Sequence, residues 1–128
     1  MRTCLALMLA CALGAAWAAP ASAQEIDHFL CYQVTAYDGP AGIPVKLKDQ
    51  FGQMVVHAAK PDLLCNPVDK NGEGIQDAEA HLLCYSLTDI EGDPGQRKVV
   101  TETQFGKTTL TVKGVQRLCV PALKQLAK

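Results

Sequence analysis

The sequence predicts an all-β domain, a two-unit pseudo-symmetric β-sandwich or small barrel stapled by disulfides. Three observations carry that expectation: three short blocks that recur in the same order, β-rich apolar runs punctuated by turn residues, and four cysteines placed two per unit.

The recurrence organises the chain, and repeats are sought first because missing one misassigns the whole fold. His28-Phe29-Leu30-Cys31-Tyr32-Gln33-Val34-Thr35 returns as His81-Leu82-Leu83-Cys84-Tyr85-Ser86-Leu87-Thr88. Gln50-Phe51-Gly52 returns as Gln104-Phe105-Gly106, and Leu64-Cys65-Asn66-Pro67 as Leu118-Cys119-Val120-Pro121. Lys70 and Lys124 stand at the same distance past their cysteines, and the spacing from Phe to the second Cys is the same in both units. The spacing from the first Cys to the Phe differs by one residue, which a loop near Pro40 or Pro94 absorbs. Unit one runs over 27–70, unit two over 80–124, and a polar, Gly-rich linker over 71–79 joins them.

Each unit reads as strands. The first block is an apolar run ending at Thr. A turn region follows, Tyr37 to Gly42 in one unit and Glu91 to Gly95 in the other. The next strand alternates Val45 and Leu47 with lysines, matched by Val99 and Thr101. Gln-Phe-Gly then makes a turn or bulge, Gly supplying the φ > 0 that such bends often need. The return strands carry Val56 and Ala58, matched by Leu110 and Val112. A helical period is absent except over Ala122–Lys128, where a short terminal helix is expected. A two-stranded hairpin is marginal alone, so the units are expected to share one core about a pseudo-two-fold. Phe51 and Phe105 read as equivalent turn-packing or core aromatics.

The first 23 residues have the three parts of a secretory leader: Arg2, the uncharged apolar run Cys4–Trp17, and Ala21-Ser22-Ala23 as a small-x-small cleavage pattern. The apolar run falls short of the roughly 20 residues a bilayer core requires. The expected products are a signal peptide over 1–23 and a single domain over 24–128, periplasmic or extracellular, with no membrane attachment after cleavage. A domain of that size buries only about two-thirds of its unfolded surface, so crosslinks matter. Arg2 leaves with the leader, and the eleven basic and thirteen acidic residues remaining give net −2. That balance supplies no basic field for nucleic acid or an anionic membrane.

Cys31, Cys65, Cys84 and Cys119 then form two disulfides, with three pairings open. Cys31–Cys65 with Cys84–Cys119 keeps each bond inside one unit. Cys31–Cys119 with Cys65–Cys84 would follow a swapped duplication. Cys31–Cys84 with Cys65–Cys119 would need both bonds on the pseudo-axis. The within-unit pairing is preferred. Each of its bonds closes a loop of about 35 residues, worth roughly 3–4 kcal/mol in the chain-entropy model. Zinc, redox and haem spacings such as C-x-x-C are absent from the sequence.

Catalytic signatures are absent as well. His28 and His81 are repeat equivalents, each on the opposite strand face from the cysteine three residues on. Duplicated groups of that kind suit a scaffold better than one active site. The only serine after the leader, Ser86, lies outside a G-x-S-x-G setting. The chain is therefore expected not to be an enzyme and to need no cofactor. Calcium is the one ion candidate: Asp69, Asn71, Glu73 and Asp77 echo the early positions of a calcium loop, while Ala80 replaces the closing bidentate Glu.

Taken together, the blocks and the Asn66–Gly74 segment resemble a family of uncharacterised secreted bacterial domains with duplicated His-x-x-Cys-Tyr, Gln-Phe-Gly and Leu-Cys-x-Pro blocks, over Asp27 to Lys124. That resemblance implies no activity, substrate or partner. Two functions are expected to compete. One is a non-catalytic binding or structural module for an extracellular or periplasmic protein or glycan. The other is a secreted inhibitor of a protease or other hydrolase, presenting a rigid loop such as Asp38–Pro44 or Glu91–Arg97.

Overall fold

The computed structural model describes residues 26–36 and 38–127. The leader read over 1–23 lies outside the described residues. Seven strands follow in order: β1 (His28–Gln33), β2 (Ile43–Asp49), β3 (Gly52–Val68), β4 (His81–Glu91), β5 (Arg97–Thr103), β6 (Gly106–Val112) and β7 (Arg117–Ala122). All pairings are antiparallel. Among the described residues there is no helix, hence none long and apolar enough to cross a membrane. The helix expected over Ala122–Lys128 is corrected: Ala122 ends β7, and no helix follows through Ala127. So short a segment, packed on nothing, cannot recover the cost of nucleating a helical turn.

Both Gln-Phe-Gly blocks make tight hairpins. Gln50-Phe51 joins β2 to β3 with Asp49 opposite Gly52, and Gln104-Phe105 joins β5 to β6 with Thr103 opposite Gly106. Asp49 Oδ1 accepts the N–H groups of Phe51 and Gly52 at 2.8 and 3.1 Å, and Thr103 Oγ1 accepts that of Phe105 at 3.1 Å. The side chain before each turn thus satisfies turn amides that no strand reaches.

The main sheet has the order β1-β3-β4-β7, with β2 also on β3; β5 and β6 form a second, two-stranded sheet. The long β3 therefore carries β2 beside its first half, β1 beside its second, and β4 along its other edge. Register shifts between Val55/His57, Ala58/Pro61 and Pro61/Leu63 mark bulges on this shared seam. Asp89, with φ 49°, sits at the first of them, where β4 carries the extra residue.

The bulges bend the seam, and contacts at the two ends of β5–β6 show how far. Arg97, at the start of β5, lies 4.7 Å over the Phe51 ring; Phe105, at the hairpin tip, has the Lys70 ammonium 5.7 Å from its ring. Phe51 to Lys70 along β3 would span about 60 Å if straight, whereas Arg97 to Phe105 spans about 27 Å. The bulged strand therefore bends enough for the hairpin to reach the residues flanking both of its ends, Phe51 and Lys70, while β6 stays exposed over Gly106–Thr111.

The all-β, disulfide-stapled architecture is as expected, with open sheets: the barrel alternative does not form. The pairing of cysteines is Cys31–Cys65 and Cys84–Cys119. Each bond joins directly opposed residues of neighbouring strands, β1 to β3 and β4 to β7. The core is small. Among the described residues Val56, Ala58, Cys65, Pro67 and Cys84 are buried, as is His81. Cys65 and Cys84 Sγ lie 3.9 Å apart, a packing contact because disulfide sulfurs carry no proton.

The relation between the matched blocks differs from the expected two-fold. The order β1-β3-β4-β7 reads first block, last block, first block, last block. The operation that superposes one block set on the other is a shift across the sheet by two strands, about 10 Å. A shift does not treat its two copies alike. Val56 and Ala58 are buried between strands, whereas their matches Leu110 and Val112 sit on β6, which pairs only with β5.

Candidate functional site

A cavity of about 690 Å³ opens between the loop that follows β3 and the tip of the β5–β6 hairpin. One wall is Ile26, Asp27, His28, Glu73, Gly74 and Gln76; the other is Glu102, Thr103, Gln104 and Phe105.

The loop wall is built, not slack. Pro67 has no N–H to carry the β3·β4 ladder past Cys65 opposite Leu82, and Asn71 and Gly72 both take positive φ, 58° and 79°, while Glu73 N–H donates to Lys70 C=O at 3.2 Å. Two successive positive φ values define a type I′ turn, which Asn-Gly suits. Asp69 Oδ1 accepts the Gly74 N–H at 3.1 Å, and Asp77 Oδ1 accepts the Glu79 N–H at 3.0 Å. Asp27, entering from in front of β1, accepts the N–H groups of Gln76 and Asp77 at 2.7 and 2.8 Å, one on each oxygen. Glu73 pairs with Lys70 and, at 3.0 Å, with His28 Nε2.

The electrostatics follow. The amides of Gln76 and Asp77 hold the Asp27 carboxyl below its ordinary range, with a lesser pull from His28. Lys70 first, then His28, lowers that of Glu73. Both carboxylates are therefore ionised and committed to internal partners. Glu102, on the facing wall, has the Lys107 ammonium at 3.8 Å.

This geometry bears on the calcium candidates Asp69, Asn71, Glu73 and Asp77. Asp69 and Asp77 each cap an amide of their own loop, Glu73 turns to Lys70 and His28, and Asn71 is the turn residue. Among the described residues, no three His, Cys, Asp or Glu side chains converge as a metal site.

Sequence reasoning missed Asp27, which fastens the loop from 49 and 50 residues away. Its position beside the first block was the only available signal. It also missed His57, whose Nδ1 lies 2.8 Å from Asp89 Oδ2, a pairing made by the β3–β4 seam. The Asp89 carboxyl is held low chiefly by that hydrogen bond. Ser86 Oγ reaches Lys60 C=O at 3.5 Å, and neither His57 nor Ser86 lines the cavity. His28 faces Glu73 at the surface, while its match His81 is buried with Nδ1 unpartnered.

The two matched aromatics have different surroundings. Phe51 is half-buried under Arg97, whose guanidinium also donates to the Phe51 and Pro94 carbonyls at 3.0 and 3.2 Å. Phe105 is 84% exposed at the cavity mouth. Comparison with protein-family models, curated proteins and solved structures returns no match, so fold and site stand on their own geometry.

Proposed function

We propose that the chain is an exported, non-catalytic binding module whose contact site is the cavity between the 69–80 loop and the β5–β6 tip, with an extracellular or periplasmic protein or glycan as its partner. The observation that carries this reading is Phe105. An exposed aromatic ring on a two-residue hairpin, beside a cavity rimmed by carboxylates already fixed in place, is a pre-organised contact surface. Carboxylates fixed by internal partners retain further lone pairs that accept a ligand's hydroxyls without added ordering cost. The four cysteines among the described residues are consumed as disulfides, and the His57–Asp89 pair stands apart from the cavity, so the groups described suit binding better than covalent chemistry.

Phe105→Ala tests the reading. Against a glycan array and a pull-down of exported proteins, the variant should lose a ligand that the parent chain retains, with an unchanged melting temperature. Equal retention by parent and variant would overturn the assignment of the site. The same hairpin supports the second reading, an inhibitor of a protease or other hydrolase that offers Phe105 to an apolar specificity pocket. A protease panel separates the two: inhibition abolished by Phe105→Ala, without glycan binding, favours the inhibitor.

A further inference from the structure

We infer that the chain associates head to tail, the outer edge of β7 in one copy adding to the outer edge of β1 in a second copy, in the register that β3 and β4 use within one chain. The blocks that meet at the β3·β4 seam are the last block of unit one and the first block of unit two. The shift that relates the units presents those same two blocks again, unpaired, at the two ends of the main sheet: the last block on β7 and the first on β1.

Hydrogen-bond parity agrees. Val34 N–H donates to Asp62 C=O at 3.0 Å, one step along the β1·β3 ladder whose register places Cys31 opposite Cys65. Alternation then makes Cys31/Cys65 a non-hydrogen-bonded pair, in accord with its Cα separation of 3.9 Å, and aims the backbone groups of Phe29, Cys31 and Gln33 outward. On β7 the Cys84–Cys119 pair has the same 3.9 Å separation, so Arg117 and Cys119 aim their backbone groups outward. Within the chain, Cys65 faces Leu82 and Leu63 faces Cys84; the block equivalents are Cys119 facing Phe29 and Arg117 facing Cys31 of the second copy.

Burial points the same way. Leu83 and Tyr85 on β4 are half-buried and Cys84 is fully so, whereas Leu30, Cys31 and Tyr32 on β1 are exposed, Leu30 at 47% and Tyr32 at 50%. A neighbouring β7 would give them what β3 gives their matches, and would set Cys119 against Cys31 as Cys65 is set against Cys84. Exposed edges are commonly blunted with proline or inward charge. Here Pro121 is no added block, because Pro67 holds the equivalent place on β3 and the β3·β4 ladder ends at Cys65 opposite Leu82.

The test is sedimentation of the disulfide-bonded chain over a concentration series, with Leu30→Lys at the β1 edge and Leu118→Lys at the β7 edge. The parent's weight-average mass should climb with concentration past that of a dimer. Each variant alone should stay monomeric, and an equimolar mixture of the two should form a dimer that grows no further, since only one native edge pair remains. A monomeric parent throughout, or a Leu118→Lys chain that still dimerises through β1 alone, would overturn the proposal. Should Leu118→Lys fail to fold, Leu30→Lys titrated into the parent decides: it must lower the parent's mean mass by capping chains, and an unchanged mass refutes head-to-tail growth.

Discussion

Replacing Cys31 and Cys65 together by alanine isolates the contribution of one staple. The bond closes a separation of 34 residues, and the chain-entropy relation gives about 4 kcal/mol at 25 °C for a loop of that length. The second bond closes 35 and has the same entropic weight. The two loops do not overlap in sequence, so their entropic terms are independent. What couples the bonds is packing, since Cys65 and Cys84 Sγ touch at 3.9 Å in the middle of a very small core. Each double substitution should therefore cost about 4 kcal/mol, and removing both bonds should depart from the sum by about 0.5–1 kcal/mol, as for residues in contact. For a domain of this size the single loss lowers the melting temperature by roughly 15–30 °C. Urea unfolding of the parent, the two double variants and the quadruple variant, followed by far-UV circular dichroism, measures every term. A cost below about 1 kcal/mol for either bond would refute an unfolded-state origin. A non-reduced digest linking Cys65 to Cys84 would refute the pairing itself.

Arg97→Ala removes the guanidinium from the Phe51 ring and from two carbonyls; a loss of about 1–3 kcal/mol is expected, with hydrogen exchange accelerating in β5 and β6 ahead of β3. Gly92→Ala should be worse than Gly39→Ala. Both have positive φ, 83° and 102°, but a Cβ at 92 would lie 2.9 Å from Gln53 O while one at 39 meets open space, and comparative thermal melts read the difference. Asp27, Glu73 and Asp89 all have lowered carboxyl pKa values in the fold. A depressed carboxyl contributes stability that is present above its unfolded-state value and lost as pH falls through its folded one. The melting temperature should therefore drop below about pH 4, and Asp27→Asn should flatten that drop while speeding exchange of the Gln76 and Asp77 amides. Calcium titration should leave the melting temperature unmoved, because Asp69, Glu73 and Asp77 already serve loop partners; a rise that Glu73→Gln abolishes would show that those partners yield to the ion.

Features governed by neighbours in sequence were legible. Alternating Val45, Leu47, Val56 and Ala58 marked strands, Gln-Phe-Gly marked both hairpin turns, and block spacing singled out the cysteine pairing that forms. The terminal helix failed because a helical period over a few residues says nothing about nucleation without a packing partner. Asp27 and the His57–Asp89 pair were illegible for another reason: they are made by register, 32 to 50 residues apart, and no local pattern encodes which carboxylate meets which amide or imidazole. The calcium-like spacing over Asp69–Asp77 is a separate case. Alternate oxygens in a Gly-rich stretch satisfy a sequence template, yet the type I′ turn at Asn71-Gly72 sends those oxygens to separate partners.

The least legible feature was the operation relating the two block sets, and it has the largest consequences. Identical blocks state that two segments resemble one another; they are silent on whether a rotation or a shift superposes them. A rotation closes on itself and buries both copies equally, so Phe51 and Phe105 would share one role, as the sequence suggested. A shift does not close. It places the strand of Val56 and Ala58 inside the sheet, leaves Leu110 on an outlying hairpin, and covers Phe51 with Arg97 of the next unit while no further unit covers Phe105. The covered aromatic then holds the fold and the uncovered one meets solvent at the cavity mouth. The same asymmetry leaves two unlike, mutually matching edges on β1 and β7. Exposure at Phe105 and exposure at Leu30 and Tyr32 are thus one geometric fact seen at two places. A second copy seated on β7 should quench one without necessarily covering the other, because the residue matched to Arg97 in unit one is Ile43, which has no cation to lay over the Phe105 ring.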